Sequence, residues 1–238
     1  MRALTTSREI PVDQRLIFAL DVPSYDAALA LADQLGDSVQ FYKLGLELST
    51  SGRYFDLIRE LRDRGKRIFA DLKFYDIPAT VAGAVRGLAQ NGVDFATVHG
   101  NPSMIAAAVA ERGSVRLLAV TVLTSIDDAE FADLGFRGTI EEAVIHRTRR
   151  AVELGCDGVI ASGLEAPALR KAVGEDFLIV SPGIRPRDRT DDQRRVVTPE
   201  DAFARGADHI VVGRPIRDAE DPRAAAQAIQ DTIARALA

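Results

Sequence analysis

Residues 67–100 read RIFADLKFYDIPATVAGAVRGLAQNGVDFATVHG, and this stretch indicates how the whole chain is built. Its first part, 67–74, is a short apolar run in which charged residues alternate with apolar ones, as they do along a strand. Residues 78–91 are rich in alanine and have helical spacing, and 94–100 form a second strand-like run. A strand, a helix and a strand in this order predict a right-handed parallel crossover.

The same unit recurs along the chain. Short apolar runs predict strands at 15–22, 40–48, 67–74, 94–100, 116–124, 158–162, 177–184 and 209–216. Helical spacing predicts helices at 24–35, 51–64, 78–91, 102–112, 139–154, 164–173, 198–205 and 221–237. Eight such units favour an α/β protein of the (β/α)8 TIM-barrel type, with residues 1–238 forming a single domain. An open doubly wound sheet is the alternative, but the glycine-rich first turn typical of its nucleotide-binding members is missing.

Composition excludes several classes of function. The formal net charge is -5 and the pI is about 5.3, which argues against a nucleic-acid-binding protein. Cys156 is the single cysteine, so an internal disulfide framework is excluded. The N-terminal stretch has no apolar region typical of a signal peptide, and no window approaches the length of about 18 apolar residues that a membrane span needs. We therefore expect a cytoplasmic protein that does not bind membranes.

Polar residues stand at the predicted C-terminal ends of the strands, where barrels of this type build their active sites. They are Asp21, Lys43, Asp71, Lys73, His99, Thr124, Arg185 and Arg214. Taken alone, an aspartate or lysine at a strand end is more often a solvated rim residue. His99 alone is more often a hydrogen-bonded core or rim histidine, and Thr124 alone is more often a helix or turn cap. Their common position at one end of the barrel favours a functional site instead.

Asp71 and Lys73 are two residues apart on a predicted strand, so both side chains face the barrel interior. With Asp21 and Lys43 they predict an array of alternating charges, in which each lysine is protonated and each carboxylate is ionised. Such an array suits chemistry that creates or cancels charge at one atom. An ammonium group can protonate a developing carbanion, and a carboxylate can repel an anionic group that leaves.

A second cluster follows the last two predicted strands, in SPGIRP at 181–186 and VVGRPI at 211–216. Loops at this place in a TIM barrel commonly bind phosphate, Gly213 would let the backbone approach an anion, and Arg214 could donate two hydrogen bonds to it. A surface arginine beside a tight turn is the alternative interpretation. The long polar loop between Arg185 and Thr198 predicts a lid, and Gln193 within it could contact a bound phosphate.

These motifs resemble the bacterial branch of the orotidine 5'-phosphate decarboxylase family, the last enzyme of de novo UMP synthesis. The resemblance covers nearly the whole chain, and DLKFYDIP at 71–78 is its most specific part. The other matching motifs are FALDV, FYKLGLEL, TVHG, VTVLTS, SPGIRP, DDQRRV and VVGRPI. It implies decarboxylation of orotidine 5'-monophosphate (OMP) to UMP and CO2, without a metal or an organic cofactor.

The resemblance also implies residue roles. Lys43, Asp71, Lys73 and Asp76 would be catalytic, with Lys73 protonating C6 of the pyrimidine. The implied substrate-binding residues are Asp21, Lys43, Asp71, Ile77, Thr80, Thr124, Arg185, Gln193, Gly213 and Arg214. In the family the second aspartate of the signature reaches into the neighbouring subunit, so a homodimer is implied in which Asp76, Ile77 and Thr80 complete the partner's site.

Two other functions remain open at this point. A sugar-phosphate decarboxylase of the same superfamily shares the D-x-K-x-x-D pattern but uses Mg²⁺, so loss of activity with EDTA would favour it. A barrel without activity that binds a nucleotide as a sensor belongs to a different class. Such a sensor has no need of the paired lysines and aspartates, and it would leave the absorbance of OMP unchanged.

Overall fold

The computed structural model describes residues 10–185 and 197–237. Within them, eight parallel strands form one closed barrel in which each strand pairs with the next and the last pairs with the first. The strands are β1 Leu16–Ala19, β2 Phe41–Leu44, β3 Arg67–Phe74, β4 Phe95–His99, β5 Arg116–Val120, β6 Gly158–Ile160, β7 Leu178–Ser181 and β8 His209–Val212. The predicted (β/α)8 barrel is confirmed.

Helices connect the strands. They are α1 Tyr25–Leu35, α2 Leu46–Ser49, α3 Tyr54–Asp63, α4 Pro78–Gln90, α5 Pro102–Glu111, α6 Asp128–Asp133, α7 Ile140–Glu153, α8 Ala166–Val173, α9 Pro199–Ala204, α10 Arg214–Arg217 and α11 Pro222–Leu237. The short helices α2, α6 and α10 were not predicted. Helix α2 begins where the strand predicted at 40–48 was expected to continue, so that β2 ends at Leu44.

Local sequence signals account for many of the helix ends. The Ser24 hydroxyl accepts a hydrogen bond from Ala27 N–H at 3.2 Å and caps α1, and the Thr198 hydroxyl accepts one from Asp201 N–H at 3.1 Å and caps α9. Gly65 and Gly92 follow α3 and α4 with φ of 77° and 71°, a conformation that favours glycine.

Three aspartates tie the N-terminal ends of the strands together. Asp94, Asp157 and Asp208 each stand directly before an even-numbered strand, and each accepts a hydrogen bond from a backbone N–H of the preceding strand, at Ile68, Leu117 and Ile179. An arginine within or directly after a helix pairs with each carboxylate: Arg62 of α3, Arg112 directly after α5, and Arg170 of α8. Charged groups at this end of the barrel therefore bind one another, which fits a structural role.

Two apolar clusters stabilise the barrel. The smaller one fills its interior and includes Phe41, Phe69 and Phe95, and the larger one lies between the strands and the surrounding helices. In residues 10–185 and 197–237, no helix has both the length and the apolar character needed to cross a membrane.

Candidate active site

The inward-facing side chains of the barrel change from apolar to charged toward the C-terminal ends of the strands. Inward positions on a strand are two residues apart, so Phe41 of β2 is followed by Lys43, and Phe69 of β3 is followed by Asp71. Both phenylalanine rings belong to the buried interior cluster. They form an apolar floor beneath the two charged side chains.

Four charged side chains, from the loop directly after β1 and from β2 and β3, form a continuous array. Lys43 Nζ lies 2.9 Å from Asp21 Oδ1 and 3.7 Å from Asp71 Oδ2, and Lys73 Nζ lies 2.8 Å from the same Asp71 oxygen. The side chains of Lys43 and Asp71 are 11% and 12% exposed, whereas Asp21 and Lys73 are more open to solvent. The predicted alternation of charges is thus present in the geometry.

Asp71 is the most enclosed carboxylate of the array, and its environment keeps it ionised. Burial opposes the charge, but the positive charges of Lys43 and Lys73 and the hydrogen bonds from Lys73 and Thr97 outweigh burial, so the pKa of Asp71 lies below its ordinary value. At neutral pH a negative charge is therefore fixed between two ammonium groups.

The end of β3 is irregular where it carries the array. The pairing of β3 with β4 shifts between Ala70 and Phe74, and Lys73 has φ of 48°, in the left-handed region. The backbone N–H of Lys73 donates to the hydroxyl of Thr97 on β4 at 2.9 Å instead of to a backbone carbonyl.

A cavity of about 300 Å³ opens over the array, at the lower end of the size range of small-molecule sites. Of the residues predicted from sequence, it is lined by Asp21, Lys43, Asp71, Lys73, Thr124, Arg185, Gly213 and Arg214. Val120 of β5 and Ile160 of β6 add apolar wall. The described residues that line the cavity include two carboxylates and five cationic side chains. The cavity therefore favours an anionic ligand, although the net charge of the whole chain is negative.

The arginine side of the cavity follows β7 and β8. Arg185 is buried, and its backbone N–H donates to the Val197 carbonyl at 3.0 Å. Gly213 directly precedes α10, and a Cβ atom there would lie 3.3 Å from the Cβ of Ala19. Glycine therefore allows the β8 turn to approach β1 closely, which brings Arg214 to the cavity.

Arg217 is a cavity residue that the sequence analysis missed. It lies on the same turn of α10 as Arg214, and its guanidinium donates to the Asp21 carbonyl at 2.8 Å and to the Asp218 carboxylate at 2.7 Å. It therefore ties the β8 turn to the end of β1, where the array begins. Two arginines three residues apart lie on the same side of a helix, and this spacing was the available signal. It could not be used because helix α10 was not predicted.

Asp76, Ile77 and Thr80 do not line this cavity. All three are exposed on the loop after β3 and the start of α4, and Ile77 is 67% exposed. The Asp76 carboxylate accepts a hydrogen bond from Ile77 N–H at 2.6 Å. Gln193 lies outside the described residues.

His99, the remaining polar residue at a strand end, lies beside the cavity rather than in its wall. Its ring meets that of Tyr75 edge to face, with centroids 5.5 Å apart. Burial lowers the pKa of His99, and the positive charges of Arg147 and Lys73 lower it further. A neutral imidazole is therefore favoured at neutral pH.

Metal ligands are not grouped in the part of the chain that the structure describes: no cluster of three or more His, Cys, Asp or Glu side chains there could hold an ion.

Comparison with known proteins gives consistent similarities. The family model described as orotidine 5'-phosphate decarboxylase / HUMPS matches residues 14–229. A curated protein of Methylococcus capsulatus named orotidine 5'-phosphate decarboxylase is 54% identical over 230 residues, covering 96% of this chain and 95% of that protein. A Xanthomonas euvesicatoria protein of the same name is 56% identical over 227 residues, covering 94% and 93%.

A solved structure agrees with these sequences. The crystal structure of orotidine 5'-phosphate decarboxylase from Lactobacillus acidophilus superposes with a TM-score of 0.83 at 38% identity, covering 92% of this chain and 99% of that one.

Proposed function

This chain belongs to the orotidine 5'-phosphate decarboxylase / HUMPS family, and we propose that it is a carboxy-lyase that converts OMP to UMP and CO2 in pyrimidine biosynthesis. Relatives that are 54% and 56% identical to this chain and are named orotidine 5'-phosphate decarboxylase support this substrate. The observation that carries the proposal is the cationic cavity over the array, in which Lys73 and Asp71 are 2.8 Å apart.

The chemical step follows from that pair. The bond between C6 of the pyrimidine and the carboxylate breaks, CO2 leaves, and the electron pair remains on C6. Lys73 then gives one proton to C6 and is left as a neutral amine, which solvent reprotonates. The substrate carboxylate would lie near the ionised Asp71. The ammonium of Lys73 stabilises a negative charge at C6 better than it stabilises the substrate carboxylate. The transition state is therefore stabilised more than the bound substrate.

The other cavity residues bind the rest of the nucleotide in this proposal. Asp21 and Lys43 contact the ribose hydroxyls, Thr124 contacts the pyrimidine, and Arg185 lies near the bound substrate. Gly213, Arg214 and Gln193 bind the phosphate, for which the surplus of cationic side chains in the cavity is the support. Binding energy from the phosphate helps to order the charges around the pyrimidine.

We propose a homodimer in which Asp76, Ile77 and Thr80 complete the site of the partner subunit. The support is their position: they are exposed, at the end of β3, and they do not line the cavity of their own chain. Exposed Tyr75 and Ile77 give this surface an apolar part, which suits an interface. An isolated subunit would then have an incomplete site.

We also propose that residues 1–238 act as one domain, that the reaction needs no metal and no organic cofactor, and that the protein works in the cytoplasm. Support for the cofactor-free reaction is that fixed charges alone can supply the electrostatic stabilisation described above. The synthesis of a soluble nucleotide supports the cytoplasmic location.

The test is to mix the purified protein with OMP and follow the ultraviolet absorbance of the pyrimidine. Conversion to UMP at an unchanged rate after EDTA treatment is the expected result. No absorbance change with OMP would refute the proposal, and the protein would then be mixed with a 3-keto-hexulonate phosphate. Decarboxylation of that substrate that EDTA removes and Mg²⁺ restores would favour the metal-dependent sugar-phosphate decarboxylases, and turnover of neither substrate would favour a nucleotide-binding barrel without activity.

A further inference from the structure

Strand β3 carries more residues than β4 at the point where the array is built. Phe69 and Ala70 pair with Phe95 and Ala96, but the next pair joins Phe74 to Val98. Residues 71–73 of β3 therefore face the single residue Thr97 of β4. This is a bulge, a device that redirects side chains beside active sites and leaves some backbone groups without a ladder partner.

The backbone of Lys73 is strained at this bulge. Lys73 is the one non-glycine residue with a positive φ in residues 10–185 and 197–237, and its φ is 48°. A side chain with a Cβ atom disfavours this conformation, so it persists only where the surroundings hold it in place.

The hydroxyl of Thr97 makes two hydrogen bonds to this segment. It accepts a hydrogen bond from the backbone N–H of Lys73 at 2.9 Å, and it donates one to Asp71 Oδ1 at 3.0 Å. Thr97 is fully buried, so water does not compete for these contacts. One oxygen atom thus links the backbone of the proposed proton donor to the carboxylate beside it.

We propose that Thr97 is a positioning residue: its hydroxyl, acting as donor and acceptor at once, fixes the Lys73 ammonium and the Asp71 carboxylate relative to each other. This proposal rests on the proposed decarboxylase function. Without the hydroxyl, the Lys73 N–H loses its partner, Asp71 loses one hydrogen bond, and the left-handed backbone loses its support. The ammonium would then reach C6 of the substrate less often in the correct geometry.

Two variants of Thr97 separate the hydroxyl from the bulk of the side chain. Thr97→Val keeps the volume but can neither donate nor accept, whereas Thr97→Ser keeps both functions and loses a methyl group. Thr121→Val is the matched control, since Thr121 is also a fully buried threonine, and its hydroxyl donates to the Ile160 carbonyl at 3.0 Å without contacting the array.

Steady-state kinetics with OMP are the main measurement. We expect Thr97→Val to lower kcat by about 10- to 100-fold, while KM changes by less than about threefold because Thr97 has no proposed contact with the substrate. Thr97→Ser should stay within about threefold of the wild type and Thr121→Val within about twofold. A valine variant with wild-type kcat would overturn the proposal, and so would a serine variant that loses as much as the valine variant.

If Thr97→Val does not fold, Thr97→Ala and Thr97→Ser are compared in its place, and equal kcat values for these two would contradict the proposal. A wild-type protein inactive on OMP would refute the proposed function instead. Crystal structures of the variants still test the positioning in that case. A positive φ at Lys73 and an Asp71–Lys73 contact that both survive in Thr97→Val would show that the hydroxyl does not hold them.

Discussion

The ammonium group of Lys73 lies 2.8 Å from the carboxylate of Asp71, and the two residues stand on the same irregular strand end. This contact gives the cavity a proton donor and a fixed negative charge within one hydrogen bond of each other. The proposed reaction needs both, since an anionic group leaves from the carbon that is then protonated.

Arg214→Ala should weaken catalysis through the phosphate. We expect kcat/KM for OMP to fall by about 100-fold or more, since an arginine that binds phosphate makes charge-assisted hydrogen bonds worth about 1.5–3 kcal/mol each. Activity on orotidine, which has no phosphate, should change little. Arg235→Ala, which removes an exposed arginine of α11, is the control. Equal losses on OMP and orotidine would refute the assignment of Arg214 to the phosphate.

Mixed dimers test the shared site. Asp76→Ala and Lys73→Ala subunits, each inactive alone, should recover activity when they are mixed, because one of the two sites in a heterodimer then has both residues intact. Tags of different kinds on the two variants allow the heterodimer to be purified before the assay. Purified heterodimers without recovered activity would count against a site shared between subunits.

Gly45→Ala should disturb the array from the side of β2. The backbone of Gly45 has φ of -96°, which any residue adopts, but an added Cβ would lie 3.1 Å from Asp21 Oδ1 and 3.2 Å from Lys43 Nζ. We expect this crowding to shift the ion pair and lower kcat/KM for OMP by about tenfold, with little change in the melting temperature. A variant with unchanged kcat/KM would mean that the Asp21–Lys43 contact is not needed in this geometry.

His209 should make stability depend on pH. It is the first residue of β8, fully buried at the N-terminal end of the barrel, where its ring contacts those of Phe41 and Phe95. Burial lowers the pKa of His209 from 6.5 to about 3, and the positive charges of nearby arginines contribute to this shift. Below pH 6.5 the unfolded chain binds a proton that the folded protein does not, so stability falls as pH falls toward 3. His209 alone should cost about 2 kcal/mol between pH 7 and pH 5.

His209→Phe removes that titration and should flatten the pH dependence by the same amount. Urea unfolding of both proteins at pH 7 and pH 5 gives the comparison, and the difference between the two pH values cancels any packing change caused by phenylalanine. Parallel losses of stability in the two proteins would contradict the inference that His209 stays neutral in the folded state.

Hydrophobic periodicity, together with the residues typical of turns and helix ends, was enough to predict the barrel. The strand and helix runs repeat with short turns, and caps such as Ser24 and Thr198 mark helix starts through contacts that span only three residues. Strand ends were less accurate: β1 ends at Ala19 rather than 22, and β2 ends at Leu44 because the chain turns into α2. A run of apolar residues does not show where ladder pairing stops.

The charge array was also predictable, because alternation brings Asp71 and Lys73 to one face and the fold brings β1, β2 and β3 together. The bulge that redirects Lys73 was not predictable. It depends on the hydroxyl of Thr97, which is 24 residues away along the chain. It also depends on a left-handed backbone conformation at Lys73, which a lysine in the sequence does not indicate. Arg217 was missed for a similar reason, since its contact with the Asp21 carbonyl spans 196 residues.

The most direct test of the central claim is the turnover of Lys73→Ala with OMP, compared with Lys171→Ala, which removes an exposed lysine of α8. If Lys73 protonates C6, its loss should lower kcat by at least about 10³-fold, with the melting temperature close to that of the wild type, and the control should keep full activity. A folded Lys73→Ala protein that converts OMP within tenfold of the wild-type rate would contradict the account.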